Sequence, residues 1–238
     1  MNVSIDDLCK ELGVKEVAPS EWRSSRRERS HIFEESRIPY EVQACLFDGY
    51  TLAPTRAISP IVCERLAGAE SVGVMGYGTG FRLLLDALNN PDTSFIGIDQ
   101  DPRCEEVVKR RMERLNVKNI ELRVANFFKL NPVQDRFACV VAIDCLPDTV
   151  PKEFRGRMNL QGFMRGSYFW FCQMVKPSSP PSFMVAANYG LFTRGHAEMY
   201  AELGNQAGLN RFEALGFSYQ KREEPEKSGA LLFCSREV

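Results

Sequence analysis

From about residue 57 onward, short apolar runs alternate with stretches of helical period, and that alternation leaves the chain few folds to choose from. Residues 56–68 carry Ile58, Ile61, Val62 and Leu66 at helical spacing and end at Gly68, a residue suited to a helix C-cap. Residues 71–75 form a short apolar run ending in a glycine cluster, which predicts a strand. Phe81, Leu84, Leu85 and Leu88 then share one helical face, and Asn89-Asn90-Pro91 stops that helix. The pattern repeats with a strand over 94–98, a helix over 102–115 opening on Pro102, and a strand over 120–124. The unbroken apolar run 137–143 suits a central parallel strand covered on both faces. A helix over about 160–175, a proline-rich loop and a strand over 182–187 come next. The tail reads as one or two short helices over about 196–215, then strands over 217–221 and 230–235. This order predicts an α/β fold with a doubly wound, mostly parallel seven-stranded sheet, helices on both faces and the last two strands antiparallel at its edge.

Chemistry enters at Val74-Met75-Gly76-Tyr77-Gly78-Thr79-Gly80-Phe81, where a strand runs into three alternating glycines and then a helix. Glycine permits positive φ and lets the backbone approach a ligand, and such a turn lies at the carboxyl end of a strand, where open α/β sheets bind ligands. Asp99, nineteen residues after Gly80, ends the next strand. An acidic side chain there can accept hydrogen bonds from both hydroxyls of a ribose. The dinucleotide fingerprint GxGxxG requires a glycine at position 81, where this chain has Phe81.

The GxGxG spacing followed by Gly97-Ile98-Asp99-Gln100-Asp101-Pro102 resembles motif I and the acidic loop of the class I S-adenosylmethionine-dependent methyltransferases, over roughly residues 57–238. The resemblance implies that Gly76, Tyr77, Gly78 and Gly80 face the methionine part of the cofactor and that Asp99 holds the ribose. It also implies that Gln100 flanks the adenine, that Asn126 with Phe127 meets the adenine amino group, and that Asp144 lines the far side of the cofactor near the acceptor. The chain departs from the family in two places. Val74 stands where many members have an acid for the cofactor's amino group, and Asp144-Cys145-Leu146-Pro147 does not match the motif of amino-directed nucleic-acid enzymes.

Other residues are read less directly. His196, after a glycine near a helix start, could act as a general base or simply sit at the surface, and with Asp144 it makes up the catalytic pair. Asn188 and Tyr189 follow a strand end and, with Tyr40 and Tyr50, form the acceptor-binding set. Asp144 and Asn188 fall short of a magnesium site because position 187 is alanine, and without a CxxC pair zinc is not expected either, so the metal assignment is none. Residues 1–56 carry Tyr40, Phe47 and Tyr50, and Pro39 and Pro54 are expected to break any long helix there. They read as an N-terminal helical cap or lid on a cofactor-binding core of residues 57–238.

Composition bounds the partners. A formal net charge of −1 supplies no field for nucleic acid or an anionic membrane, and Arg23, Arg26, Arg27 and Arg29 are interleaved with glutamates as on a solvated face. No leader or membrane span is readable, and eight scattered cysteines read as reduced thiols, so a cytoplasmic location is expected. The expected activity is methyl transfer from S-adenosyl-L-methionine to a small-molecule acceptor. Open alternatives are an RNA or protein methyltransferase, an aminocarboxypropyl transferase resembling nicotianamine synthase, and a catalytically inactive methyltransferase-like binding protein. Oligomeric state is not encoded in any feature read.

Overall fold

A computed structural model describes residues 3–24, 32–33, 37–126, 129–132, 134–143, 172–176, 183–187 and 201–235. Five parallel strands form where the apolar runs predict them: β1 (Ser71–Met75), β2 (Ser94–Asp99), β3 (Ile120–Val124), β4 (Cys139–Ile143) and β5 (Phe183–Ala187). Two longer strands, β6 (Arg211–Tyr219) and β7 (Lys227–Ser235), pair antiparallel with each other, and β7 pairs antiparallel with β5. The strand order is β3-β2-β1-β4-β5-β7-β6. After β3 the chain returns to the middle of the sheet, so the switch in winding direction falls between β1 and β4, where the carboxyl ends of the strands leave a crevice.

Side-chain alternation divides the core into two layers, as the period of two requires. Val72, Val74, Phe95, Cys139, Val141, Leu231 and Phe233 face one layer. It is completed by α1 (Ile5–Leu12), α3 (Tyr40–Leu66), α4 (Phe81–Asn89) and α5 (Pro102–Leu115). Met75, Ile98, Val140, Ala142, Leu232 and Cys234 face the other, against Cys172, Met174, Val175, Leu203 and Leu209. Among the described residues, seven cysteines are free thiols, and no helix is long and apolar enough to cross a membrane.

Local chemistry sets the helix ends. Ser4 caps α1 by accepting from the Asp7 amide while Asp7 Oδ2 accepts from the Ser4 amide, and Gly13 closes it at φ 72°. Asp101 caps α5 through the Arg103 amide with Pro102 at the first helical position, and Asn116 closes it at φ 54°.

Two expectations are corrected. Pro54 does not end a helix, since α3 runs unbroken for 27 residues with Pro54 and Pro60 inside it. Proline removes the donor that would serve Tyr50 O, and the nearby threonine hydroxyls bond other carbonyls, Thr51 to Phe47 O and Asp48 O and Thr55 to Thr51 O. Burial of Leu52, Ile58, Val62 and Leu66 against the sheet outweighs the remaining penalty. The second correction concerns the tail: helix is seen at 201–206, whereas residues 211–215 belong to β6, paired residue for residue with Ser235 to Leu231. Pairing along nine residues of β7 gives this edge strand a continuous ladder on one side, which a short isolated helix could not match in stability.

Candidate functional site

The glycine loop joins β1 to α4 with all three glycines in the left-handed region, at φ 65° for Gly76, 54° for Gly78 and 73° for Gly80. Backbone hydrogen bonds fold it back on the sheet: Gly76 N donates to Ile98 O at 2.7 Å and Gly80 N to Tyr77 O at 2.9 Å. Gly80 is needed twice, because a Cβ there would also lie 2.3 Å from Val108 Cγ2 of α5. At Gly78 a Cβ would meet nothing but the Cδ1 atom of Ile32, at 3.0 Å. One side of Gly78 is thus closed by a single flexible side chain from the N-terminal segment.

Asp99 stands at the last position of β2, beside the loop. Its Oδ2 accepts from Gly78 N at 2.8 Å and its Oδ1 from Asp101 N at 3.0 Å. Burial pushes its carboxyl above the ordinary carboxylate value, against the pull of the amides of Asp101, Gly78 and Gln100. The carboxylate is therefore oriented before any ligand arrives, with lone pairs still open on both oxygens. Gln100 is exposed directly after it, and Asn126 is half-buried beyond β3, where Ala125 N donates to Asp99 O at 2.8 Å. These residues converge at the carboxyl ends of β1, β2 and β3.

Tyr77 faces the other way. Its ring lies against Gly97, where a Cβ would be 2.8 Å from Cδ1, and its buried hydroxyl has no hydrogen-bond partner. Burial, then Asp99, pushes that hydroxyl above its ordinary value. Tyr77 thus meets the loop's open side through its backbone, while its side chain packs under α4 and α5.

The two N-terminal tyrosines are separated. Tyr40 opens α3 with its ring centroid 5.3 Å from that of Phe33, whose carbonyl accepts from Arg103 Nη1. Tyr50 is sandwiched between Trp22, stacked at 5.1 Å, and the Lys221 ammonium, 3.4 Å from the ring centroid. Both faces of that ring are covered. Phe127, Asp144, Asn188, Tyr189 and His196 lie outside the described residues, as do Arg26, Arg27, Arg29 and Cys145.

Two residues at the loop, Asp48 and Arg111, belong to no motif read from the sequence, and they meet at Thr79. The Thr79 hydroxyl donates to Asp48 Oδ1, Asp48 Oδ2 accepts from Arg111 Nη1 at 2.7 Å, and Arg111 Nη1 also donates to Thr79 O at 3.1 Å. Arg111 Nε reaches Glu41 Oε1 at 2.8 Å. Burial pushes the Asp48 carboxyl up, and the Arg111 guanidinium and the Thr79 hydroxyl pull it down. The available signal was a charge on each of two otherwise apolar helix faces, Asp48 among Ala44, Leu52 and Thr55, and Arg111 among Val107, Val108 and Leu115.

Sheet order, winding switch, glycine loop and terminal acid together define the fold of class I S-adenosylmethionine-dependent methyltransferases, and solved structures agree. The N-terminal domain of EvdMO1, crystallised with S-adenosylhomocysteine bound, is similar at a TM-score of 0.52 and 17% identity over 80% of this chain and 84% of that domain. Against the longer EvdMO1 structure the match covers 91% of this chain and 46% of the other, at a TM-score of 0.51 and 16% identity. A candidate RNA methyltransferase from Pyrococcus horikoshii is similar at a TM-score of 0.55 and 11% identity over 100% of this chain and 98% of that one. Precorrin-6y C5,15-methyltransferase from Geobacter metallireducens is similar at a TM-score of 0.51 and 10% identity, over 76% of this chain and 88% of its own. No protein-family model and no curated protein matches the sequence.

Proposed function

We propose that this protein is an S-adenosyl-L-methionine-dependent methyltransferase acting on a small-molecule acceptor. The observation that carries the reading is Asp99, held at the end of β2 by two backbone amides and facing a loop of three positive-φ glycines. The donor set fits the cofactor: a carboxylate for two ribose hydroxyls, the exposed Gln100 beside the adenine, the half-buried Asn126 at its amino group, and an approachable backbone at Gly78. When bound, the cofactor supplies an electrophilic methyl on a sulfonium, and the protein's part is to position the acceptor and exclude water. In this reading Phe127 and Asp144 complete the cofactor site, His196 and Asp144 serve the acceptor's proton, and Tyr40, Tyr50, Asn188 and Tyr189 shape the acceptor pocket. Residues 1–56 cover the cofactor, which is supported by Ile32 standing against the open side of Gly78. A small acceptor is favoured by the balance of 30 basic against 31 acidic residues, which supplies no global field to draw in a nucleic acid.

Calorimetry with S-adenosylhomocysteine and with NAD tests the cofactor. Binding of the first and not of the second is expected, because Phe81 occupies the third glycine of the dinucleotide fingerprint. Tight NAD binding sinks the proposal. Product analysis of turnover then tests the reaction: S-adenosylhomocysteine marks methyl transfer, whereas methylthioadenosine marks aminocarboxypropyl transfer.

A further inference from the structure

Thr79 is tethered from outside the sheet. It lies between Gly78 and Gly80 and is 3% exposed, with its hydroxyl held by Asp48 of α3 and its carbonyl by Arg111 of α5. Both charged partners are buried, with side chains 1% exposed each. Replacing such a pair by apolar residues of similar volume is often neutral or stabilising, so a buried ion pair alone is weak evidence for a stability role. Here the pair grips both polar ends of one residue. With Thr79 held, the rotation of the flanking peptides is restricted and the Gly78 N–H stays directed at Asp99.

We infer that Asp48, acting through Thr79 and with Arg111, is a positioning residue that pre-shapes the glycine loop for the cofactor, so that cofactor affinity depends on a side chain outside the sequence motif. This rests on the cofactor reading above and deepens it. The physical need follows from the loop itself. Three glycines are the residues that lose most conformational freedom on ordering, and an untethered loop would have to be ordered by the ligand at the expense of affinity. Asp99 holds the loop at Gly78 alone, so the peptides around Thr79 need a second point of attachment. The Asp48–Thr79–Arg111 tether uses no group that the cofactor requires.

Asp48→Ala would leave Arg111 buried beside an empty site and could fail to fold, so the test uses Thr79→Val, which keeps the shape and removes only the hydroxyl, with Thr79→Ser as the conservative rescue. Two readouts are taken well below the melting temperature: calorimetric affinity for S-adenosylhomocysteine, and amide exchange of residues 76–80 relative to β1 and β2 in the ligand-free protein. Thr79→Val should weaken binding at least about tenfold and speed exchange of the loop amides by a similar factor, and Thr79→Ser should restore both. If Thr79→Val lowers the melting temperature but leaves affinity and loop exchange unchanged, the network is only a clamp between helices and the inference is overturned. If the wild-type protein binds no S-adenosylhomocysteine, the cofactor reading fails, and with it the inference as stated for that cofactor. Loop exchange then decides separately whether the tether orders the loop.

Discussion

Gly78 and Gly80 share a residue type and a backbone region, yet their surroundings assign them different fates. Gly80→Ala combines a left-handed φ with a Cβ 2.3 Å from Val108 Cγ2, so it should destabilise the protein by about 2–4 kcal/mol in urea unfolding. Adding Val108→Ala should recover part of that loss. Gly78→Ala carries the left-handed penalty of about 1–2 kcal/mol, but its neighbour is the flexible end of Ile32. The fold should survive it while S-adenosylhomocysteine binding is lost. Asp99→Ala removes a charge-assisted acceptor pair, about 1.5–3 kcal/mol, and should weaken binding about ten- to a hundredfold. Burial holds Asp99 above its ordinary value, so between that value and the folded one the native state binds more protons than the unfolded chain. Stability from this group therefore falls as pH rises through that window, while affinity, which needs the ionised acceptor, rises. Calorimetry across the acid range should show binding failing at a higher pH than an unshifted carboxylate would give. An affinity flat down to the ordinary carboxylate range would remove Asp99 from the ribose. The glycines and Asp99 were legible because a tight turn and a strand-end acid are local demands on single residues. Thr79 was not, because its partners lie 31 and 32 positions away.

Among the elements, α3 shows most clearly how packing overrides local preference. Two internal prolines argue against a 27-residue helix, but the face from Ala44 to Leu66 lies in the core, and its burial outweighs the lost backbone bonds. Its position is held against α5 by Arg111, which contacts both Glu41 and Asp48. Arg111→Met would strand Asp48 in the interior, with an expected loss of about 3–5 kcal/mol in urea unfolding. Asp48→Leu combined with Arg111→Met should restore part of that stability, since the fully buried carboxylate is removed with its partner and only the half-buried Glu41 loses its cation. A double variant as unstable as the single one would mean that the two helices need the ion pair itself. Positions of the five parallel strands were legible to within about two residues because period two and turn residues are short-range signals. The full length of β6 was not, since residues 211–215 are strand only by virtue of the facing residues of β7.

At the scale of the whole molecule, the N-terminal residues and the sheet share one core. Leu8, Leu12, Val14, Ala44 and Leu52 are buried in the same cluster as Val72, Val74, Leu84 and Val108. A chain beginning at residue 57 would cut α3 and expose that layer, so it should show no cooperative thermal transition by circular dichroism. A sharp transition would instead make residues 57–238 an independent unit. The sequence by itself determined the alternation of strands and helices, the mostly parallel sheet, the loop at Gly76, Gly78 and Gly80, and the acid at Asp99. Each of these is written in periods and turns spanning a few residues. Only the tertiary structure decided that Pro54 sits inside a helix, that Leu8, Leu12, Val14, Ala44 and Leu52 are built into the core, and that Asp48 and Arg111 meet at Thr79. Those outcomes depend on burial and pairing between segments far apart in the chain, where the energy of a contact exceeds the local preference of either partner and no local pattern records it.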